Sequence, residues 1–221
     1  MEPSLNDVLE KAARLQTLVP GAVLVGGSAA ALHAHHRRSL DNDHVVADLA
    51  ERYDSILENL EALGDWSTAR VQPGKIILGE LGGIETGVRQ LLRSRPLEST
   101  EMEVGGKPLR VPTAAEILRI KAWLALSRNQ TRDYLDIAAL AESIGLQEAA
   151  GVLCGIDTYY ADLNHRPEAV ATQLVRQLAD PRPRDEKTTT QLHSYKALEP
   201  RWQEWSTVKA VLADLAVRMT R

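Results

Sequence analysis

A chain of 221 residues, with 44% apolar and 25% charged residues, is long enough to bury a core as one large domain or two small ones. Its formal net charge of -4 excludes a whole-molecule positive field, so any nucleic-acid partner needs a local basic patch. The one cysteine, Cys154, excludes an internal disulfide and a multi-cysteine zinc cluster; its apolar flanks predict a buried, inert thiol in a reducing compartment.

Phenylalanine is absent, so the core must be built from Leu, Ile, Val and Ala with a few Trp and Tyr. Residues 1–18 carry charges throughout and have no apolar h-region, and no window of about 20 apolar residues occurs. The sequence therefore predicts a cytoplasmic protein without signal peptide or membrane span.

In chain order, residues 4–18 predict an amphipathic helix through Leu5, Val8, Leu9, Ala12, Leu15 and Leu18. Pro20-Gly21 ends it. Ala22 to Val25 reads as a short strand, Gly26-Gly27 as a turn, and Ser28 to about His36 as a small-residue helix. Asp41 to Leu49 predicts a second strand, and Leu49 to Leu63 a helix stopped by Gly64. Short β-like runs follow at Ser67–Gln72, Lys75–Leu78 and Glu101–Val111, the last folded about Gly105-Gly106. Between them, Gly82–Leu92 reads equally as strand or helix.

The second half is helical. Thr113-Ala114-Ala115-Glu116 has the spacing of a capping box and opens a helix to about Ser127. Further helices are predicted from Thr131 to Gly145 and over 147–154, 167–178 and 201–219, with Trp202 and Trp205 as core. Residues 180–187 read as a polar, proline-containing linker. The expected organisation is an α/β core over residues 1–111 with a small mixed sheet, then a helical domain over 112–221.

The strongest chemical signal is Gly26-Gly27-Ser28, twelve residues, then Asp41-Asn42-Asp43. Glycines between strand and helix let backbone approach a phosphate, and a helix N-terminus offers unpaired N–H groups to an anion. Ser28 suits both capping that helix and touching a phosphate oxygen. In an extended segment Asp41 and Asp43 point the same way. Two carboxylates on one face suit Mg²⁺ bridging to a triphosphate.

Here the sequence resembles the polymerase-beta-type nucleotidyltransferase superfamily, with its G-[GS] loop, a spacer of this length and D-x-D. The resemblance narrows to the AbiEii and MenT-type toxins, through Ser39-Leu40-Asp41-Asn42-Asp43, the Glu116 to Lys121 stretch, and Arg132-Asp133-Tyr134-Leu135-Asp136. It spans roughly residues 20–145.

The resemblance implies a nucleotidyltransferase fold and transfer of a nucleoside monophosphate from a nucleoside triphosphate to an acceptor such as a tRNA 3′ end. It also implies a toxin with a cognate antitoxin. Gly26, Gly27 and Ser28 would hold phosphate, Asp41 and Asp43 would ligate metal, Lys121 would touch the triphosphate, and Asp133 would complete the polar site. A third carboxylate is expected on a later strand. Glu85 is the candidate, with Glu80 and Glu103 as competitors. The alternative is a catalytically degenerate member kept as a binding module.

Several features have plainer readings. Lys121 could be a snorkelling lysine on a helix edge, and Asp133 and Asp136 could be helix N-terminal acids complementing the macrodipole. His33, His35, His36, Arg37 and Arg38 read as a basic helix end, with Arg37 or Arg38 within reach of phosphate. Arg37/Arg38, Arg89/Arg93/Arg95 and Arg128/Arg132 are the candidate clusters for an RNA acceptor. Polar Asn42 and His44, on the face opposite the two Asp, predict an exposed or edge strand, or a shifted register.

Overall fold

The computed structural model describes residues 4–221; the first three residues of the expected amino-terminal domain lie outside the described residues. The chain runs α1 (Leu5–Leu18), β1 (Val23–Val25), α2 (Gly26–Ala34), β2 (Asn42–Val46), α3 (Leu49–Glu61), β3 (Trp66–Gln72), β4 (Ile76–Leu81), β5 (Ile84–Gln90), β6 (Ser99–Val104) and β7 (Lys107–Pro112). There follow α4 (Ala114–Arg128), α5 (Thr131–Ile144), α6 (Leu146–Cys154), α7 (Asp157–Tyr160), α8 (Val170–Ala179) and α9 (Trp205–Met219). A mixed-sheet domain followed by a helical region is the α/β arrangement that the sequence predicts. Two units divide the chain: Met1–Ala29 with Ser39–Thr113, and Ala30–Arg38 with Ala114–Arg221.

In the first unit a five-stranded sheet has the order β1-β2-β5-β4-β3. β2 and β5 are parallel, and the other pairs are antiparallel. The ambiguous segment 82–92 becomes β5 because Gly82 and Gly83 both take positive φ, which closes a two-residue hairpin with Leu81 opposite Ile84. The same device at Gly105-Gly106 joins β6 to β7.

α1 begins with a reciprocal cap, in which Asp7 N–H donates to Ser4 Oγ (3.1 Å) and Ser4 N–H to Asp7 Oδ2 (2.7 Å). Its inner face enters a core with Leu15, Val19, Val46, Leu49, Ile56, Leu60, Ile77, Leu81 and Val88. Burial of each such side chain contributes about 1.5–3 kcal/mol before entropy is counted.

β2 is neither exposed nor an edge, contrary to what Asn42 and His44 predict. It lies between β1 and β5 in unbroken register, with Asp43 opposite Val25 on one side and Gly87 on the other. Asn42 and His44 are fully buried. Asn42 is tolerated there because its Nδ2 donates to the Val8 carbonyl of α1 (3.0 Å). Neither ring nitrogen of His44 makes a hydrogen bond of good geometry, and burial lowers its pKa from 6.5 to about 3, with a weak backbone hydrogen bond at Asn42 opposing.

The second unit packs the end of α2 and the loop after it with α4 to α9. Residues 180–187 are not a free linker. Pro181 and Pro183 are buried, Asp185 accepts from the N–H and hydroxyl of Thr131 (2.8 and 2.9 Å), and Asn129 Nδ2 donates to the Arg182 carbonyl (2.8 Å). Cys154 is exposed at the end of α6 rather than buried; its apolar sequence neighbours turn inward, as with fully buried Leu153, while the thiol lies on the outer face. Among the described residues no single helix is long and apolar enough to cross a membrane; α5 and α6 reach that composition together but are bent by 117°.

Candidate functional site

The chain leaves β1 and enters α2 directly at Gly26, whose φ of +75° would strain any residue with a Cβ. The helix thus starts two residues before the predicted cap. Ser28 lies inside its first turn, fully buried, and donates its hydroxyl to the Asp41 carbonyl (2.6 Å). It does not cap the helix. It clamps the start of α2 to the residue before β2, and so fixes the backbone from which the acidic pair projects.

Asp43 is the centre of the arrangement. A Cβ added at Gly26 would fall 3.1 Å from Asp43 Oδ2, and one added at Gly87 would fall 2.9 Å from Asp43 Oδ1. The carboxylate therefore occupies a slot between the first residue of α2 and the parallel strand β5, open only because both neighbours are glycine. Asp41, exposed, lies two residues earlier on the same parity. Arg89 reaches back along β5 to bring Nε within 3.5 Å of Asp43 Oδ1, both side chains being partly exposed.

Glu85 is exposed on β5 and paired in register with Glu80 of β4. Among the described residues no three His, Cys, Asp or Glu side chains group to hold a metal ion. Asp41 and Asp43 are carboxylates of the kind a hard cation takes. They suit one whose other positions are filled by phosphate oxygens and water.

Lys121 and Asp133 belong to the second unit, in a buried ionic cluster centred on Asp136. Asp136 is fully buried and receives Lys121 Nζ (2.7 Å), Arg37 Nε (2.8 Å) and His36 Nε2 (2.7 Å). Asp133 receives Arg128 in a two-pronged pair (2.7 and 2.8 Å), with Lys121 Nζ at 3.7 Å. Lys121 is 1% exposed, so it is no snorkelling lysine. Burial would raise the Asp136 pKa, but Arg37, Lys121 and His36 outweigh it and hold the carboxyl well below its ordinary value. Arg37 is correspondingly raised: burial disfavours its charge, and Asp136 more than restores it. Removing one member of such a cluster strands the remaining charges without water.

The basic helix end is not formed. α2 stops at Ala34, and His36 and Arg37 turn inward to Asp136. Each basic cluster proposed for RNA loses a guanidinium to an internal partner: Arg37 to Asp136, Arg128 to Asp133, and Arg93, 4% exposed, to the carbonyls of Arg95 (2.9 Å) and Pro96 (3.0 Å). Sequence reasoning missed the pairing of Arg89 with Asp43 and the convergence on Asp136. Only the parity of residues 85, 87 and 89 along one strand hinted at the first.

No family model matches the chain. The solution structure of the antibiotic-resistance factor ANT(2″)-Ia superposes with a TM-score of 0.54 at 16% identity, covering 75% of this chain and 97% of that one. The crystal structure of ANT(2″)-Ia in complex with adenylyl-2″-tobramycin gives 0.51 at 14%, covering 69% and 97%. At these identities the likeness shows the fold, and the fold is nucleotidyltransferase-like. A different similarity is to the heme uptake protein MmpL11 of Mycobacterium tuberculosis (strain ATCC 25618 / H37Rv), 42% identical over 112 residues, which is 48% of this chain and 11% of that protein. The mycolic acid-containing lipids exporter MmpL11 of Mycolicibacterium smegmatis is 37% identical over 129 residues, 58% of this chain and 13% of that protein. The chain spans about a tenth of the length of the curated relatives it matches.

Proposed function

We propose that this chain is a nucleotidyltransferase that moves a nucleoside monophosphate from a nucleoside triphosphate to an acceptor hydroxyl. The observation that carries this reading is the Asp43 carboxylate in its slot between Gly26, at the start of a helix, and Gly87, on the parallel strand. That placement sets an acidic pair beside a helix N-terminus, where anionic phosphate is favoured.

In this reading Gly26 and Gly27 admit the phosphates to the backbone, and Ser28 holds the loop against Asp41. Asp41 and Asp43 would hold Mg²⁺, which when bound neutralises phosphate charge and helps orient the triphosphate. The acceptor oxygen bonds to the α-phosphorus, the bond from the α-phosphorus to the bridging oxygen breaks, pyrophosphate leaves, and the hydroxyl proton passes to a carboxylate. Asp133 and Lys121, tied to Arg128 and Asp136, support the fold of the helical unit in preference to reaching a triphosphate.

The finer assignment, an AbiEii or MenT-type toxin acting on a tRNA 3′ end and held by an antitoxin, rests on the motif run alone. A small-molecule hydroxyl is the rival acceptor, since the solved complex of ANT(2″)-Ia carries an adenylylated tobramycin. Incubation with each labelled nucleoside triphosphate, Mg²⁺ and either total RNA or a small-molecule extract decides among these. Label in RNA supports the tRNA reading, and label in small molecules the other. Mg²⁺-dependent nucleotide binding with no transfer to anything supports a second reading, a binding module without turnover. The Arg89–Asp43 contact favours that module reading. So does the recurrence of a stretch similar to about half of this chain within far longer transport proteins.

A further inference from the structure

Arg89 is placed for a role that neither the motif nor the fold assigns. In the parallel pairing, Asp43 faces Gly87 and Arg89 faces Val45. A side chain of ordinary direction at Arg89 would stand over Val45. It instead runs back one pleat, over the space left empty at Gly87, where an added Cβ would lie 3.9 Å from Arg89 Nε. The contact it makes with Asp43 is loose, with a closest approach of 3.5 Å from Nε to Oδ1, unlike the two-pronged Arg128–Asp133 pair at 2.7 and 2.8 Å. The two-pronged form is the stronger way for an arginine to neutralise a carboxylate. Here the Arg89 side chain is 42% exposed, on the strand face that carries Asp43 and Glu85.

We propose that Arg89 is a phosphate ligand: a tethered cation that lets this site bind a polyphosphate chain without a divalent metal. The inference rests on the nucleotidyltransferase reading. Carboxylates on one face repel a triphosphate, and a site of this kind with no cation of its own would bind nucleotide only together with metal. A guanidinium beside Asp43 offsets part of that repulsion and supplies N–H donors in the planar fork that matches phosphate oxygens. Gly87 serves the arrangement twice, giving room for the Asp43 carboxylate and for the returning Arg89 side chain.

The test is titration of the full chain with inorganic tripolyphosphate, and with each of the four common nucleoside triphosphates, in EDTA and again in Mg²⁺. Wild type should bind tripolyphosphate in EDTA. Arg89→Gln should weaken that binding by about tenfold or more, the loss expected for one charge-assisted hydrogen bond, and Arg89→Lys should restore part of it. Asp43→Asn should tighten binding in EDTA by relieving repulsion, and adding Arg89→Gln to it should weaken binding again by about tenfold. Nucleotide binding in Mg²⁺ with none in EDTA, or EDTA binding indifferent to Arg89→Gln, overturns the proposal and leaves the nucleotidyltransferase reading standing. Absence of binding by any of these probes under both conditions overturns both.

Discussion

His44→Leu should make the protein more stable, and most so in mild acid. The wild-type ring is fully buried on an interior strand of the sheet, between Leu24 of β1 and Val88 of β5, and neither nitrogen makes a hydrogen bond of good geometry. Two unsatisfied polar atoms in an apolar site cost about 1–3 kcal/mol at neutral pH, which a leucine of similar volume removes.

The acid effect has a definite sign. Burial lowers the folded-state pKa from 6.5 to about 3, so between these values the unfolded chain binds a proton that the folded chain refuses. Stability is therefore intact above the unfolded value and falls as pH drops through the window. At 1.36 kcal/mol per unit, moving from the top of that window to pH 4.5 removes about 2.7 kcal/mol. The leucine variant has no such term. Urea unfolding of both proteins at pH 7 and pH 4.5 should show the stability gap between them widening by roughly 2–3 kcal/mol on acidification. Carboxylates held low, such as Asp136, titrate identically in both proteins and cancel in the difference. Parallel pH dependences would show that His44 is hydrated or partnered in solution, and the burial argument would fail.

Asp136→Asn should destabilise by about 3–5 kcal/mol in the same unfolding assay, because His36, Arg37 and Lys121 would share a neutral partner; a loss below about 1 kcal/mol would mean the cluster is open to water. Asp41→Ala and Asp43→Ala should each abolish labelled-nucleotide transfer while leaving the circular dichroism spectrum unchanged, and wild-type transfer by either would sink the assignment of the acidic pair. Gly26→Ala should cost about 1–2 kcal/mol through its positive φ and also crowd Asp43, so unchanged stability and unchanged nucleotide affinity together would refute the slot. If RNA is the acceptor, use of subsaturating RNA should fall steeply with salt, by about 0.7–0.9 in log–log slope per phosphate contact, while a flat dependence points to a small acceptor.

Much of this protein is written locally in its chain. The spacing of Leu5, Val8, Leu9, Ala12 and Leu15 makes a helix wherever it is placed. Gly105-Gly106 folds back on itself because only glycine takes two successive positive φ values cheaply. Strand, glycines and helix at residues 22–36, followed by Asp41 and Asp43 on one parity, set a glycine turn and an acidic pair close together along the chain. These features depend on neighbours a few residues away, which is the range over which sequence pattern carries conformational information.

Other properties depend on partners far along the chain. Asn42 and His44 look like the outside of a strand, and they are inside one because α1 and β5 cover them; alternation records which residues share a face, not which face is wet. His36 and Asp136 lie 100 residues apart, so nothing near either marks them as a buried pair. Arg37 and Lys121 likewise read as surface cations until Asp136 draws them in. Arg89 and Arg93 look alike in the sequence, yet one lies beside the acidic pair and the other is buried against the carbonyls of Arg95 and Pro96. The cost of burying a charge is set by what surrounds it, and those surroundings exist only once distant segments have packed together.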